Sequence, residues 1–133
     1  LAITGAGSGT HTFTPLRPFV DRSSFKREYD VPDTGAATLD PIQYQCFRLP
    51  ATHTTNPNLY TLPDLPIGAD FDGLTVLIYR NIATAGVARI MRADATIMCT
   101  TSGTAPDFGY FRWDDSNAQW RCVGSNMATV AEV

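Results

Sequence analysis

Leu74-Thr75-Val76-Leu77-Ile78-Tyr79-Arg80 is the stretch that decides the fold class. Val and Ile are stiff at χ1 and suit a pleated surface better than a helix. Side chains alternate along a strand, so Leu74, Val76 and Ile78 fall on one face and Thr75, Leu77 and Tyr79 on the other. Apolar residues occupy both faces, which predicts a strand covered on both sides.

Working outward, the same grain recurs in short runs. Towards the C-terminus stand residues 87–92 (VARIMR), 96–100 (TIMCT), 108–113 (FGYFRW) and 119–123 (QWRCV). Asp114-Asp115-Ser116-Asn117-Ala118 lies between the last two and has the composition of a hairpin turn. Towards the N-terminus, residues 59–62 (LYTL) stop at Pro63-Asp64-Leu65-Pro66, and residues 42–49 (IQYQCFRL) are bounded by Pro41 and Pro50. Residues 51–58 read as a polar loop, and Val31-Pro32-Asp33-Thr34-Gly35 as a turn. Residues 25–29 fit either a strand or one helical turn, and Thr10-His11-Thr12-Phe13-Thr14 alternates like a strand. Short strands recurring every ~8–12 residues predict an all-β sandwich or barrel. Residues 1–9 (LAITGAGSG) form a Gly-rich flexible arm, and residues 10–133 a single β-sandwich domain.

Composition supports the same class. The chain has 133 residues, of which 17% are charged, with one Lys, two Glu and seventeen Thr. Exposed helix faces are usually rich in Lys and Glu, whereas β-branched Thr favours sheets. A net charge of −3 and nine Arg scattered beside Asp argue against a nucleic-acid binder, which needs a clustered basic face. Arg with little Lys is also the pattern of oligomer interfaces. No apolar stretch approaches the ~20 residues of a membrane-spanning helix. The chain opens at Leu1 with neither Met nor a signal-peptide pattern, as a trimmed chain or one numbered from an ordered part would.

Catalytic and cofactor chemistry finds little support. Gly5, Gly7 and Gly9 lie ahead of a strand-like run, whereas a phosphate loop opens a helix and usually ends in Lys-Ser/Thr. His11 and His53 have Thr neighbours and no ligand at metal spacing, so both read as solvated. The Asp residues sit mostly in turns, where the short side chain bonds the local backbone. Cys46, Cys99 and Cys122 form no even framework and read as buried thiols, with a Cys46–Cys122 bridge as the alternative. The expectation is a chain that is not an enzyme and needs no metal, nucleotide or other cofactor.

One cluster has the chemistry of a sugar-binding surface: Tyr110, Trp113, Asp114, Asp115, Asn117 and Trp120. Aromatic faces stack on a sugar ring while carboxylates and amides bond its hydroxyls. The competing account makes Trp113 and Trp120 a core pair facing each other across the hairpin.

Residues 59–124 also carry a resemblance. Tyr60-Thr61-Leu62-Pro63-Asp64, Gly68, the strand LTVLIYRN ending in Asn81, residues 87–90, a Trp120-x-x-Val123 ending and the closing Asp115-Ser116-Asn117-Ala118-Gln119-Trp120 resemble bacteriophage tail-fibre tips and capsid spike or decoration domains. The resemblance implies a jelly-roll β-sandwich, a homotrimer, and a place on the outer surface of a virion. Its partners would be its own copies and capsid or tail proteins, with the Gly-rich arm docking on a neighbour. The alternative function is a receptor- or host-glycan-binding module built on the Trp113–Trp120 hairpin; a small β-fold hydrolase is the third. The two-faced apolar strand and nearby cations nominate Leu77, Tyr79, Arg80, Arg89 and Arg92 as the oligomer interface.

Overall fold

The computed structural model describes residues 2–4, 10–12, 28–81, 85–101 and 106–129. Among them every regular element is a strand and none is a helix, as the composition predicts. Strands β1 (Ala2–Thr4) and β2 (Thr10–Thr12) pair antiparallel with each other, so part of the expected arm forms a two-stranded ladder. The remainder of the arm, residue 1 and residues 5–9, lies outside the described residues.

Two five-stranded sheets make the body. The first runs in the order β11 (Gln119–Ser125), β10 (Asp107–Asp114), β7 (Thr75–Arg80), β5 (Cys46–Arg48), β3 (Glu28–Asp30). The second runs β12 (Ala128–Thr129), β9 (Ile97–Thr100), β8 (Ala88–Arg92), β6 (Asn58–Leu62), β4 (Ala36–Thr38). From β3 to β8 successive strands alternate between the sheets. A chain that leaves a sheet, forms a strand in the other and returns re-enters in the same direction. Hence β3, β5 and β7 are parallel neighbours, as are β4, β6 and β8. Only β9 to β12 close the sheets with antiparallel pairs. The architecture is thus an all-β sandwich of two mixed sheets, and the jelly-roll type expected, which is built from antiparallel neighbours, is not confirmed by it.

The core fills the space between the sheets. In β7, Val76, Ile78 and Arg80 are buried while Leu77 and Tyr79 are half-buried on the other side. In β10, Asp107, Gly109, Phe111 and Trp113 point inward and Phe108, Tyr110 and Arg112 outward. Phe47, Tyr60, Leu62, Ile90, Met98, Cys99 and Trp120 complete the layer from both sheets. The strand expected over residues 42–49 is shorter than its apolar pattern suggests. Asp40 Oδ1 accepts from the N–H of both Ile42 and Gln43, at 3.1 Å each, and holds a turn until β5 begins at Cys46.

Candidate functional site

Three groups of residues bear on function: the C-terminal hairpin, the outer face of the first sheet, and a buried polar network at one end of the sandwich.

In the hairpin, Trp113 and Trp120 are cross-strand partners, edge-to-face with ring centroids 5.7 Å apart, and both are fully buried. Trp113 Nε1 donates to Asp115 Oδ1 at 2.7 Å, and Trp120 Nε1 donates to the Pro63 carbonyl at 2.8 Å. Their ring faces are therefore occupied, which removes both from the sugar-stacking set and makes them core residues. The polar members are committed as well. Asp114 Oδ1 accepts from Ser116 N (3.1 Å) and Oγ (2.7 Å), while Oδ2 accepts from Asn117 Nδ2 (2.7 Å) and Arg121 Nε (2.9 Å). Asn117, Ser116 and Arg121 together hold the Asp114 carboxyl well below the usual carboxylate range. Asp115 accepts from Gly68 N at 2.9 Å and donates its own N–H to Asp72 Oδ1 at 3.0 Å. These bonds pin the turn to the body. Of the nominated ligand contacts only Tyr110 presents an aromatic ring to solvent, and it does so on the sheet face, away from the turn.

That outer face is the second group. Register places Tyr110 opposite Leu77 and Phe108 opposite Tyr79, with Cys46 beside Leu77 on the other flank. Phe108 and Tyr110 are 39% and 44% exposed, and Val123, bulged out of β11 opposite the Tyr110–Phe111 step, is 57% exposed. Ion pairs lie at its margins, the exposed Arg48 with Asp30 on one side (2.8 Å) and the half-buried Arg121 with Asp114 on the other (2.9 Å). Tyr79 donates its hydroxyl to Glu28, and this bond chiefly pushes the Tyr79 phenol up to about 12.

The five residues nominated for an interface do not share this face. Leu77 and Tyr79 do, Arg89 is exposed on the second sheet, and Arg92 donates Nε to the Trp120 carbonyl at 2.7 Å between the sheets. Arg80 is buried, a correction to its expected surface role, because it lies in phase with Val76 and Ile78 and points inward with them.

Arg80 anchors the third group. Its Nη1 donates to His53 Nδ1 (3.0 Å) and to the Gly86 carbonyl (3.1 Å), and its Nη2 to Thr101 Oγ1 (3.3 Å) and Asp107 Oδ2 (3.2 Å). His53 is 3% exposed, which corrects the solvated reading; its Thr neighbours in sequence are not its neighbours in space. A guanidinium only donates, so His53 Nδ1 is the acceptor and the ring proton sits on Nε2, which donates to Tyr60 Oη at 3.1 Å. Asn58 Nδ2 donates to the same Tyr60 oxygen (3.1 Å) and to Asp33 Oδ1 (2.7 Å). Burial and then the Arg80 charge push the His53 imidazole below its ordinary value. Gly86, at φ +79°, is required here: a Cβ would stand 2.6 Å from the His53 carbonyl oxygen and 2.8 Å from its Cβ. The network runs from Asp33 through Asn58, Tyr60, His53 and Arg80 to Asp107 and links strands of both sheets. It is shut off from solvent at its centre, and what it can do is hold the two sheets together. The in-phase position of Arg80 was the sequence signal for it.

A concavity of about 360 Å³ lies beside this end, lined by Val31, Leu49, Pro50, Asn81 and the Arg48–Asp30 pair. Among the described residues no three His, Cys, Asp or Glu side chains come together in a group that could hold a metal. No family model, no curated protein and no solved structure matches the chain.

Proposed function

We propose that this chain is a structural subunit of a virion that associates with its own copies through the outer face of the first sheet. The observation that carries the association is the contiguous set Leu77, Tyr79, Phe108, Tyr110 and Val123, apolar residues left partly uncovered on one side of the sheet. A chain with 17% charged residues has little else with which to solvate such a face. Aromatic centres rimmed by ion pairs have the composition of a protein interface. The virion assignment rests on the residues 59–124 that resemble phage fibre-tip and decoration domains. A homotrimer on the outer surface, bound to capsid or tail proteins, follows from that resemblance. The reading uses the two-sheet sandwich and does not need the jelly-roll order.

The glycan-binding alternative has lost its two Trp stacking residues to the core, and the exposed rings of the hairpin, Phe108 and Tyr110, lie on the sheet face away from the polar turn. Multi-angle light scattering tests the association: a mass near three times 14.5 kDa at micromolar concentration is the expected result. A stable monomer would overturn it. Immunogold labelling of sedimented particles from the source material tests the virion assignment separately, and labelling confined to soluble fractions would refute it.

A further inference from the structure

Cys99 and Cys122 belong to different sheets, on β9 and β11, yet their sulfur atoms lie 3.4 Å apart. Register explains the approach. Cys99 pairs with Ile90 and Cys122 with Phe111, both fully buried, so each thiol is aimed into the space between the sheets. Cys46 is elsewhere: it pairs with Leu77 on the outer side of the first sheet, three strands from β11. At ~4.8 Å per strand that is roughly 14 Å, about twice the Cα separation a disulfide spans, so a Cys46–Cys122 bridge is ruled out by the sheet order.

We infer that Cys99 and Cys122 are a redox pair that forms an inter-sheet disulfide when the chain meets a small-molecule disulfide such as oxidised glutathione. Closing from 3.4 Å to a bonded ~2.05 Å asks the sulfurs to move together by roughly 1.4 Å, within reach of side-chain torsions. The partly exposed Cys122 reacts first, since Cys99 is fully buried. Its thiolate attacks one glutathione sulfur, the glutathione S–S bond breaks, and one glutathione leaves as thiolate. The Cys99 thiolate then attacks Cys122 Sγ in the mixed disulfide, forming Cys99–Cys122 and releasing the second glutathione. Two electrons pass from the protein thiols to glutathione, and the two thiol protons end on the released glutathiones. The product ties β9 of the second sheet to the edge strand β11 of the first, on the antiparallel side of the sandwich and away from the parallel edge strands β3 and β4.

The test uses the full chain, folded and denatured, incubated with oxidised glutathione and mapped by non-reducing peptide mass spectrometry. In the folded chain the Cys99–Cys122 cross-link should exceed either pairing of Cys46 by at least about tenfold, with a ~2 Da loss of intact mass. Denaturation should abolish that selectivity. Cys46→Ser should give the same cross-link, and Cys99→Ser should stop at a persistent glutathione adduct on Cys122. A stable adduct on Cys122 in the unmutated folded chain, a dominant Cys46 pairing, or thiols that stay reduced would each overturn the inference.

Discussion

Arg80 Nη2 lies 3.2 Å from Asp107 Oδ2, and the two side chains are 0% and 1% exposed. The residues are also cross-strand partners at the end of the β7–β10 ladder. A charge withdrawn from water this far is tolerated because its partner and the Thr101, His53 and Gly86 acceptors replace the hydration lost by its two Nη groups. Removing one partner leaves the other buried and uncompensated. Asp107→Ala is therefore expected to destabilise the chain by about 3–5 kcal/mol, measured by urea denaturation. Replacing both, Arg80→Met with Asp107→Leu, should cost less than the sum of the single changes. Strict additivity would mean that the pair does not act as a unit.

Burial of His53, and then the charge of the same guanidinium, make the fold sensitive to mild acid. His53 faces Arg80 on one side and Tyr60 on the other, with Asp107 beyond Arg80 and Asp33 beyond Asn58 as the carboxylates of the network. Its pKa is lowered in the folded chain, so below the unfolded value of ~6.5 the unfolded state binds the proton more tightly. The stability His53 contributes is present above that value and is lost as pH falls from it towards the folded pKa. The slope is at most about 1.4 kcal/mol per pH unit, since one proton is involved. Melting temperature should fall between pH 6.5 and 4.5 in the unaltered chain, and this slope should flatten in His53→Gln. An identical slope in both would place the titration elsewhere.

Gly86 stands where no side chain fits. Gly86→Ala combines a left-handed backbone with a Cβ driven into the His53 backbone. A loss of about 2 kcal/mol or more is expected in denaturant melts, against about 1 kcal/mol for Gly68→Ala, where φ +77° is the whole penalty because nothing stands within 4 Å of an added Cβ. Equal losses at the two glycines would show that the His53 contact yields freely.

Strand content was legible because the signal for it is local. The alternation through Val76, Ile78 and Arg80 already carried the inward direction of all three, yet Arg reads as a surface residue until its acceptors are known. Those acceptors come from Asp107, Thr101 and His53, and only the pairing of distant strands brings them together. His53 was misread for the same reason, since Thr52 and Thr54 describe its chain and Arg80 and Tyr60 its surroundings. The Trp113–Trp120 pair was readable as a core pair because a hairpin sets its own register. Parallel pairing of β3, β5 and β7 was not, because each ladder joins segments separated by a strand of the other sheet. The meeting of Cys99 with Cys122 is likewise a product of sheet stacking, which no spacing in the sequence records.

The outer face of the first sheet gives the sharpest contrast between folding and assembly. Tyr110 and Leu77 are paired across β10 and β7 with their side chains on the outer side, so a charge there leaves the core untouched. Tyr110→Lys should change folding stability by no more than about 0.5 kcal/mol, as exposed substitutions usually do. A buried aromatic anchor of an interface, by contrast, is worth about 2 kcal/mol or more on truncation, and a lysine adds the cost of desolvating its charge. Association should therefore weaken by more than about tenfold, since 1.4 kcal/mol is one decade. Arg89→Glu, on the exposed face of the second sheet, serves as the comparison and should leave the mass unchanged. Sedimentation velocity across a concentration series reads all three chains. If Arg89→Glu dissociates the assembly and Tyr110→Lys does not, the chain associates through its second sheet, and the apolar face of the first is left to another partner.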